Sequence, residues 1–177
     1  ENLYLQPIQK MIRLGLEVNP TLQLLVDIKS EAQPTLAKLI AVVEKYPEII
    51  KKKNISIVIS GNRPEVSQYV EFPDFIFFDH QSLEGVADEI AWDKVALISL
   101  NFKKYSRWDG RQPLTEEECK KIKSIIDKAH SLGKPFRFWG IPDTPMSWET
   151  FYAMGLDFIN TDDPVGLSIF MDKISKR

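Results

Sequence analysis

Two residues of opposite charge, Asp27 and Lys29, stand one residue apart at the end of the apolar segment Leu22–Ile28. If this segment is a β-strand, its side chains alternate, so that both charged groups project to one side and Val26 to the other. Burying an acid and a base at a strand end is costly unless they pair with each other or meet a ligand. The pattern therefore indicates either a buried ion pair or a site in which Asp27 binds a divalent metal ion and Lys29 binds a phosphate oxygen.

A second pair with the same spacing, Arg137 and Trp139, occupies the segment Phe136–Trp139. Arginine offers bidentate contacts to phosphate, and tryptophan offers an apolar wall for an organic group. The alternative is that Trp139 fills the interior of the fold and Arg137 pairs with a carboxylate. Asn101, which follows the apolar segment Ala96–Leu100, is suited either to orienting a substrate or to forming a turn.

Other polar residues near predicted strand ends are weaker candidates. Asp79 follows an apolar segment, and we expect it to cap the next segment rather than line a site. Asp143 is expected at the rim of the fold. The chain has two histidines: His80 is expected to face outward, because its parity is opposite to that of Asp79, and His130 is expected on a helix surface. Neither histidine lies in a strand-end motif suited to proton transfer.

Apolar segments of strand length alternate along the chain with segments of helical spacing. The strands are predicted at Leu22–Ile28, Ile55–Ser60, Phe75–Phe78, Ala96–Leu100, Phe136–Trp139 and Phe158–Asn160. Such alternation is typical of βαβ units. The sequence therefore predicts an α/β fold with a parallel sheet.

Several helix ends are marked by residues with specific capping chemistry. Thr115 and Glu118 have the spacing of a capping box, and Gly133 is placed to end that helix in a left-handed conformation. Asp163, which precedes a proline, predicts the start of the last helix. We also expect Asn62–Pro64 to open a short helix after the second strand.

Six parallel strands are compatible with an open doubly wound sheet and with part of an eight-stranded barrel. Hydrophobic periodicity does not separate the two. A glycine-rich phosphate loop after the first strand would favour the open sheet, but the segment Asp27–Glu31 contains no glycine. The missing loop therefore weighs against the open sheet without deciding for the barrel.

Two C-terminal segments resemble a known family. Gly133–Trp139 and Gly155–Pro164 are similar to the last two βα units of glycerophosphodiester phosphodiesterases and phosphatidylinositol-phospholipase-C-like phosphodiesterases. Asp27-Ile-Lys29 matches the acid-x-Lys motif that ends the third strand of these barrels, and the family's first two strands have no counterpart in this chain. The resemblance implies a TIM-type (β/α) barrel that is incomplete, with six of eight parallel strands. Residues 1–177 would form a single domain, with residues 1–20 as a lead-in segment.

The resemblance also implies a function. Family members are phosphoric diester hydrolases that act on glycerophosphodiesters or phosphoinositide-type lipids through one divalent metal ion, Ca²⁺ or Mg²⁺. The metal ligand carried over to this sequence is Asp27, where the wider family usually has the longer glutamate. The residues carried over to substrate or phosphate binding are Lys29, Arg137, Trp139 and Asn101. Asp162 matches the family's terminal Thr-Asp motif, in which the acid closes the structure and caps a helix.

The family's proton-transfer groups are absent from this chain. Its paired histidines, with a Glu-x-Asp pair that completes the metal site, lie on the first two barrel units. We therefore expect the intact protein to be a phosphodiesterase and the isolated chain to be inactive. One alternative is a non-catalytic module, a pseudoenzyme that binds an anion or phosphate. Another is a lyase or aldolase in which Lys29 forms a Schiff base.

Composition limits the classes of partner. The 177 residues are 44% apolar with a formal net charge of −2, so no basic bias indicates nucleic-acid binding. The longest apolar runs are of strand length and are too short to span a bilayer. The single cysteine, Cys119, excludes an internal disulfide and is expected as a small core residue on a helix.

An incomplete barrel would leave unpaired strand edges. We therefore expect a complementing N-terminal fragment or a homodimer as partner, together with a small-molecule or lipid phosphodiester as ligand. The first six residues differ by one from a protease-tag sequence, but they run into the amphipathic stretch Ile8–Leu16, which favours native sequence. The compartment stays open, and a secreted or periplasmic location is one option for the intact protein.

Overall fold

The computed structural model describes residues 1–16 and 21–174, so residues 17–20 of the expected lead-in segment lie outside the described residues. The fold is α/β, with six strands in a single sheet in the order β1-β2-β3-β4-β5-β6. The strands are β1 Leu22–Ile28, β2 Ile55–Gly61, β3 Ile76–His80, β4 Val95–Asn101, β5 Phe136–Trp139 and β6 Phe158–Ile159. Pairing is parallel between β1 and β2, β2 and β3, β4 and β5, and β5 and β6. The prediction of an α/β fold with a parallel sheet is confirmed.

Strand bounds follow the sequence prediction closely. β1 and β5 have the predicted bounds, and the other strands differ by one or two residues at one or both ends. The largest difference is in β3, which continues through Asp79 to His80 rather than ending at Phe78. The apolar run marked the strand, but the polar residues that extend it are held by tertiary contacts that the run does not reveal.

The described residues form two compact units, and β4 runs from the first into the second. The first unit contains residues 1–79 and 86–96. Its helices are α1 Leu5–Arg13, α2 Ala32–Val43, α3 Pro47–Ile50, a 3₁₀ helix Val66–Glu71 and α4 Glu89–Asp93. Its core combines apolar residues of these elements with β2 and β3, of which the most deeply buried include Leu36, Val43, Ile49, Ile59, Ile76 and Phe78.

The second unit contains residues 80–85 and 97–177, described here to residue 174. Its helices are a 3₁₀ helix Phe102–Lys104, α5 Glu116–Ser131, α6 Pro145–Ala153 and α7 Pro164–Ile174. Aromatic rings form much of its core: the ring of Phe102 lies edge-on to those of Phe138 and Phe151, with centroids 5.6 and 5.4 Å away. No helix in the described ranges is both long enough and apolar enough to cross a membrane.

The helix-end predictions for the second unit are confirmed. Thr115 and Glu118 form a reciprocal capping box at the start of α5. Gly133 has φ +72° just after that helix, and the Asp163 carboxylate accepts a hydrogen bond from the Gly166 amide at the start of α7. Cys119 is only partly buried, so the prediction that it is a core residue is confirmed only in part.

The short helix expected at Asn62–Pro64 begins later. It is the 3₁₀ helix Val66–Glu71, and its N-cap is Glu65, which forms a capping box with Gln68. The start of the helix was therefore predicted too early, because the capping pair of Glu65 and Gln68, rather than the proline, defines where the helix begins.

A carboxylate, Glu48, holds α1 against α3. Gln9 donates to Glu48 Oε2 at 2.6 Å, and the Arg13 guanidinium donates to Oε1 through Nη2 at 2.7 Å and Nε at 3.1 Å. The hydrogen bond from Arg13, followed by that from Gln9, lowers the pKa of Glu48 from 4.5 to about 2. The ionised form is therefore the one that joins the two helices.

We expect Glu48→Gln to remove a pH-dependent part of the stability. Because the folded-state pKa of Glu48 is lowered, its ionised form stabilises the fold above pH 4.5, and this contribution is lost as the pH falls toward 2. The urea midpoint of the variant should lie below that of the parent protein at neutral pH, and the gap should close in acid. Glu44→Gln, at an exposed position just after α2, is the control; an equal gap at all pH values would contradict the assignment.

Candidate functional site

The acid and base at the end of β1 do project to the same side. Lys29 Nζ lies 2.8 Å from Asp27 Oδ2, while Ile28 between them is buried. The expected enclosure is absent, because the Asp27 side chain is 49% and the Lys29 side chain 81% exposed. β1 stands at one end of the strand order with β2 as its neighbour, and the described part of this unit leaves the pair largely open to solvent. The buried ion pair offered as one alternative is therefore wrong, while metal binding by Asp27 and phosphate binding by Lys29 stay predictions.

The backbone around Asp27 is held by the turn after β2. The Asn62 amide donates to the Ile28 carbonyl at 2.8 Å, and the Asn62 side chain donates to the Ser30 carbonyl at 2.8 Å. Gly61 makes the turn with φ +73°, and a Cβ at this position would lie 2.3 Å from both Asp27 Oδ1 and the Ile28 carbonyl oxygen. Asp27 is therefore positioned by a contact that needs glycine.

A buried polar cluster lies one strand further on. Asp79 is fully buried within β3 and accepts a hydrogen bond of 2.6 Å from Ser60 Oγ of β2. The ring of Tyr69 stacks on that of Phe78 with centroids 3.7 Å apart. Burial raises the pKa of the Tyr69 hydroxyl, and Arg63, which is hydrogen bonded to it, acts in the opposite direction. Asp79 is thus an interior strand residue, and its expected role as a cap is wrong.

In the second unit, Arg137 and Trp139 share one side of β5, as predicted from their spacing. Phe136 and Phe138 are fully buried on the other side, whereas Trp139 is 39% exposed. Arg137 lies opposite Ser99 of β4, and its Nη2 donates to Ser99 Oγ at 3.5 Å. Within the part of this unit that the structure describes, Trp139 is therefore not a core residue.

Asn101 forms a turn at the end of β4. Its side-chain oxygen accepts a hydrogen bond of 3.0 Å from the Lys103 amide and so caps the 3₁₀ helix Phe102–Lys104. Of the two roles open to it from sequence, turn formation is the one observed. Its carbonyl oxygen is committed to this cap, which leaves the amide group for any ligand.

The Asp143 carboxylate joins the loops after β5 and β6. It accepts hydrogen bonds from Trp148 Nε1 at 2.9 Å, Thr161 Oγ1 at 2.7 Å and the Asp162 amide at 2.7 Å. Burial acts to raise the pKa of Asp143, but these hydrogen bonds outweigh it and hold the pKa below its usual value. The rim residue expected from sequence is therefore the central acceptor of a loop network.

A cavity of about 660 Å³ opens at the carboxyl ends of β4, β5 and β6. It is lined by Lys103, Ser106, Arg107, Trp108, Asp109, Gly140, Ile141, Pro142 and Asp162. Ligands of parallel α/β folds bind at this edge, and the size is ordinary for a small-molecule site. Sequence reasoning missed its cationic and indole residues. The available signal was the basic and aromatic run that directly follows β4.

The loop that forms one wall of this cavity is rigidly anchored. Ser106 Oγ donates to Glu118 Oε1 at 3.1 Å and accepts from the Trp108 amide at 3.0 Å. Trp108 Nε1 donates to the Gln112 carbonyl at 2.6 Å. On the neighbouring side, Thr144 Oγ1 donates to the Gly110 carbonyl at 3.1 Å. The wall is therefore formed before any ligand arrives.

Both histidines are engaged away from the cavity. His80 is buried, with Nε2 3.0 Å from the Glu84 carbonyl oxygen. His130 lies on α5 with Nε2 2.8 Å from Asp157 Oδ2, which agrees with the predicted helix surface. Within residues 1–16 and 21–174, no three histidine, cysteine or acidic side chains come together as a metal site would require.

Comparison with known proteins finds neither a family model nor a solved structure that matches this chain. The chain is similar to proteins named Altered inheritance of mitochondria protein 6. The similarity to that of Kluyveromyces lactis is 42% identity over 59 residues, which are 30% of this chain and 14% of the relative. The protein of Zygosaccharomyces rouxii is 25% identical over 180 residues, which are 81% of this chain and 44% of the relative. The protein of Eremothecium gossypii is 25% identical over 134 residues, which are 66% of this chain and 34% of the relative. The chain spans less than half the length of these relatives.

We expect Gly61→Ala to destabilise the protein more than Gly133→Ala does. Both substitutions place a side chain at positive φ, which costs about 1–2 kcal/mol. A Cβ at position 133 meets nothing within 4 Å, whereas one at 61 overlaps Asp27 and the β1 backbone, which adds about 1–3 kcal/mol. Urea unfolding measures both free energies, and equal losses would show that the turn does not depend on this close approach.

We expect Asp143→Asn to cost about 1–3 kcal/mol, because the new amide nitrogen would face one of the donors that the carboxylate satisfies. Asp109→Asn is the matched control, since the one backbone amide that Asp109 accepts, from Arg111, can still be accepted by an asparagine oxygen. Urea unfolding measures both variants. A loss in Asp143→Asn no larger than that in the control would remove Asp143 from the centre of the network.

Proposed function

We propose that this chain is the C-terminal, six-unit part of a TIM-type (β/α) barrel of the phosphodiesterase kind. The intact domain would be a phosphoric diester hydrolase that acts on glycerophosphodiesters or phosphoinositide-type lipids. The strictly sequential order of six strands supports the proposal, since consecutive βα units follow one another in the same way in such barrels. The aspartate and lysine at the end of β1 add the acid-x-Lys motif of that family.

The observation that carries the proposal is the accessible ion pair of Asp27 and Lys29, with 2.8 Å between Oδ2 and Nζ at the carboxyl end of a parallel strand. An exposed pair of this kind contributes only about 0–1 kcal/mol. Separating the two groups therefore costs little, and a phosphate can take the place of Asp27 beside Lys29. The same exchange releases the carboxylate to bind a cation.

The described residues fit a divalent metal only in part. Asp27 supplies one carboxylate, and no three potential ligands gather among residues 1–16 and 21–174. If Ca²⁺ or Mg²⁺ binds the intact protein here, Asp27 holds it together with groups outside the described residues. The electrophilic help that such a cation gives to phosphoryl transfer is thus not available from this part of the chain alone.

Proton transfer is the second requirement of hydrolysis. The two histidines are committed to the Glu84 carbonyl oxygen and to Asp157, and neither lines the cavity of the second unit. A binding role without turnover is therefore the function that this chain can perform by itself. Arg137, Trp139 and the amide of Asn101 are the further binding residues proposed in the second unit.

A second candidate is a non-catalytic module that binds an anion or phosphate. The accessible lysine at the end of β1 supports it equally, because binding needs no proton-transfer groups. Histidines and a Glu-x-Asp pair encoded upstream of this chain would identify the enzyme, and their absence would identify the module. A complementing N-terminal fragment or a second copy of the chain is the partner proposed for the β1 end of the sheet.

We expect the 177-residue chain to bind glycerol phosphate without hydrolysing a phosphodiester. Calorimetry should show binding that Lys29→Ala weakens by about threefold to tenfold, as expected for one charged contact at an exposed site. Lys51→Ala, which removes another exposed lysine between α3 and β2, should leave the affinity unchanged.

Turnover is measured in parallel with bis(p-nitrophenyl) phosphate and added Ca²⁺ or Mg²⁺. No release of nitrophenol above the protein-free rate is expected. Clear metal-dependent hydrolysis that Lys29→Ala abolishes would contradict the conclusion that the catalytic groups lie outside this chain.

A further inference from the structure

The first helix of the chain, α1, carries two separate apolar faces. Leu5, Ile8 and Ile12 recur at spacings of three and four residues, and all three pack into the core of the first unit. Hydrogen bonds to Glu48 of α3 add to this attachment. The inner face therefore fixes α1 to its unit and leaves the opposite side of the helix free to contact something else.

The second apolar face points away from the core. Tyr4, Pro7, Met11 and Leu14 repeat at spacings of three, four and three residues, which places them on one side of the helix and its two capping residues. All four are exposed, with 60% of Tyr4 and 63% of Leu14 open to solvent, and the adjoining Leu3 is 82% exposed. Single exposed apolar residues are ordinary, whereas a continuous row marks an interaction surface. We call these five residues the outer face of α1.

The charges that border the outer face are basic. Lys10 stands three residues after Pro7 and four before Leu14, and α1 contains no acidic residue. Lys10 makes no ion pair or side-chain hydrogen bond with residues 1–16 and 21–174, the part of the chain that the structure describes. The neighbouring helix α3 leads into the exposed residues Lys51–Lys53, and its one acid, Glu48, is already paired with an arginine of α1. Positive charge thus accompanies the apolar row.

An anionic lipid surface matches both features. A helix that lies in the headgroup region of a bilayer presents large apolar side chains to the acyl chains and lysine to the headgroups. Tyrosine is enriched at this depth, and each lysine near an anionic leaflet is attracted to it. A second copy of the chain matches less well, because docking through the same face would bring together two basic helices that have no acid to pair with the lysines.

We infer that the outer face of α1 docks the protein onto an anionic lipid surface. The helix lies in the plane of the bilayer surface, with Leu3 and Leu14 among the side chains that leave water and Lys10 beside the headgroups. The lipid is here a surface and not a substrate. The inference does not rest on the proposed phosphodiesterase function, because it uses neither the Asp27–Lys29 pair nor any strand end.

Co-sedimentation of the full chain with vesicles of phosphatidylserine and phosphatidylcholine tests the inference. We expect binding to the mixed vesicles and at least about tenfold weaker binding to pure phosphatidylcholine, since several lysines lose their attraction to the surface. Leu14→Asn should weaken binding by about tenfold or more, because a leucine side chain no longer leaves water on docking. Lys10→Gln should weaken it about threefold to fivefold at low salt.

Ile90→Asn and Lys38→Gln are the matched controls. Ile90 is 69% exposed on α4 of the same unit, and Lys38 is exposed on α2. Each lies on a different helix from the outer face, so each should change vesicle binding less than about twofold, as exposed substitutions usually do. Lys29→Ala should also leave vesicle binding unchanged, which separates this test from that of the proposed function. Circular dichroism confirms that every variant is folded.

Sedimentation velocity of the free chain tests the competing occupant. A dimer that Leu14→Asn dissociates, in a protein that binds neither type of vesicle, would assign the outer face to a second copy and overturn the inference. It is also overturned if the chain stays monomeric and binds no vesicles, if Ile90→Asn weakens vesicle binding as much as Leu14→Asn, or if Lys29→Ala abolishes that binding.

Discussion

The parallel pairing of β1 with β2 is the constraint on which the acidic and basic site depends. Its register runs without interruption from Leu22 opposite Ile55 to Ile28 opposite Gly61. Because strands in parallel register end together, the turn after β2 must pass directly beside Asp27. Glycine at this turn allows the two backbones to approach, and the Asn62 hydrogen bonds to β1 and the segment after it keep them there. The geometry of Asp27 is thus a property of the sheet as much as of its own strand.

The same edge of the sheet holds charged groups in two different environments. Asp27 is accessible and paired with Lys29, an interaction that solvent weakens and a ligand can replace. Asp79 is fully buried and accepts from Ser60, so its removal would leave the buried Ser60 hydroxyl without this acceptor. Burial therefore separates a carboxylate suited to exchange from one suited to support. Asp27 is therefore the carboxylate to which we assign the proposed binding role, and Asp79 has a structural role.

The second unit positions its cavity through a similar division of tasks. Asp143 accepts from the loop after β6 and from Trp148, so it ties two strand ends together and is itself saturated. Ser106 and Thr144 hold the opposite walls. With these polar groups occupied in support, Lys103, Arg107 and Asp162 remain available at the cavity. Fixing the walls in advance lowers the entropy that a ligand must lose on binding.

Local patterns in the sequence determined much of this protein. The bounds of β1 and β5, the capping box of Thr115 and the left-handed Gly133 are all readable because they depend on residues within a few positions of one another. The common direction of Asp27 and Lys29 is readable for the same reason, as it follows from strand alternation alone.

Tertiary structure alone decided which of these residues are buried and which groups meet. The alternation of side chains along a strand specifies the face of the sheet on which a residue lies, but not what packs against that face. The exposure of Lys29 and the burial of Asp79 and His80 therefore depended on neighbouring strands and loops. The cavity joins residues 103–109, 140–142 and 162, which are far apart in the chain and are brought together by three parallel strands that end at one edge. Such contacts have no local signature, because the distance along the chain between the groups carries no information about their distance in space.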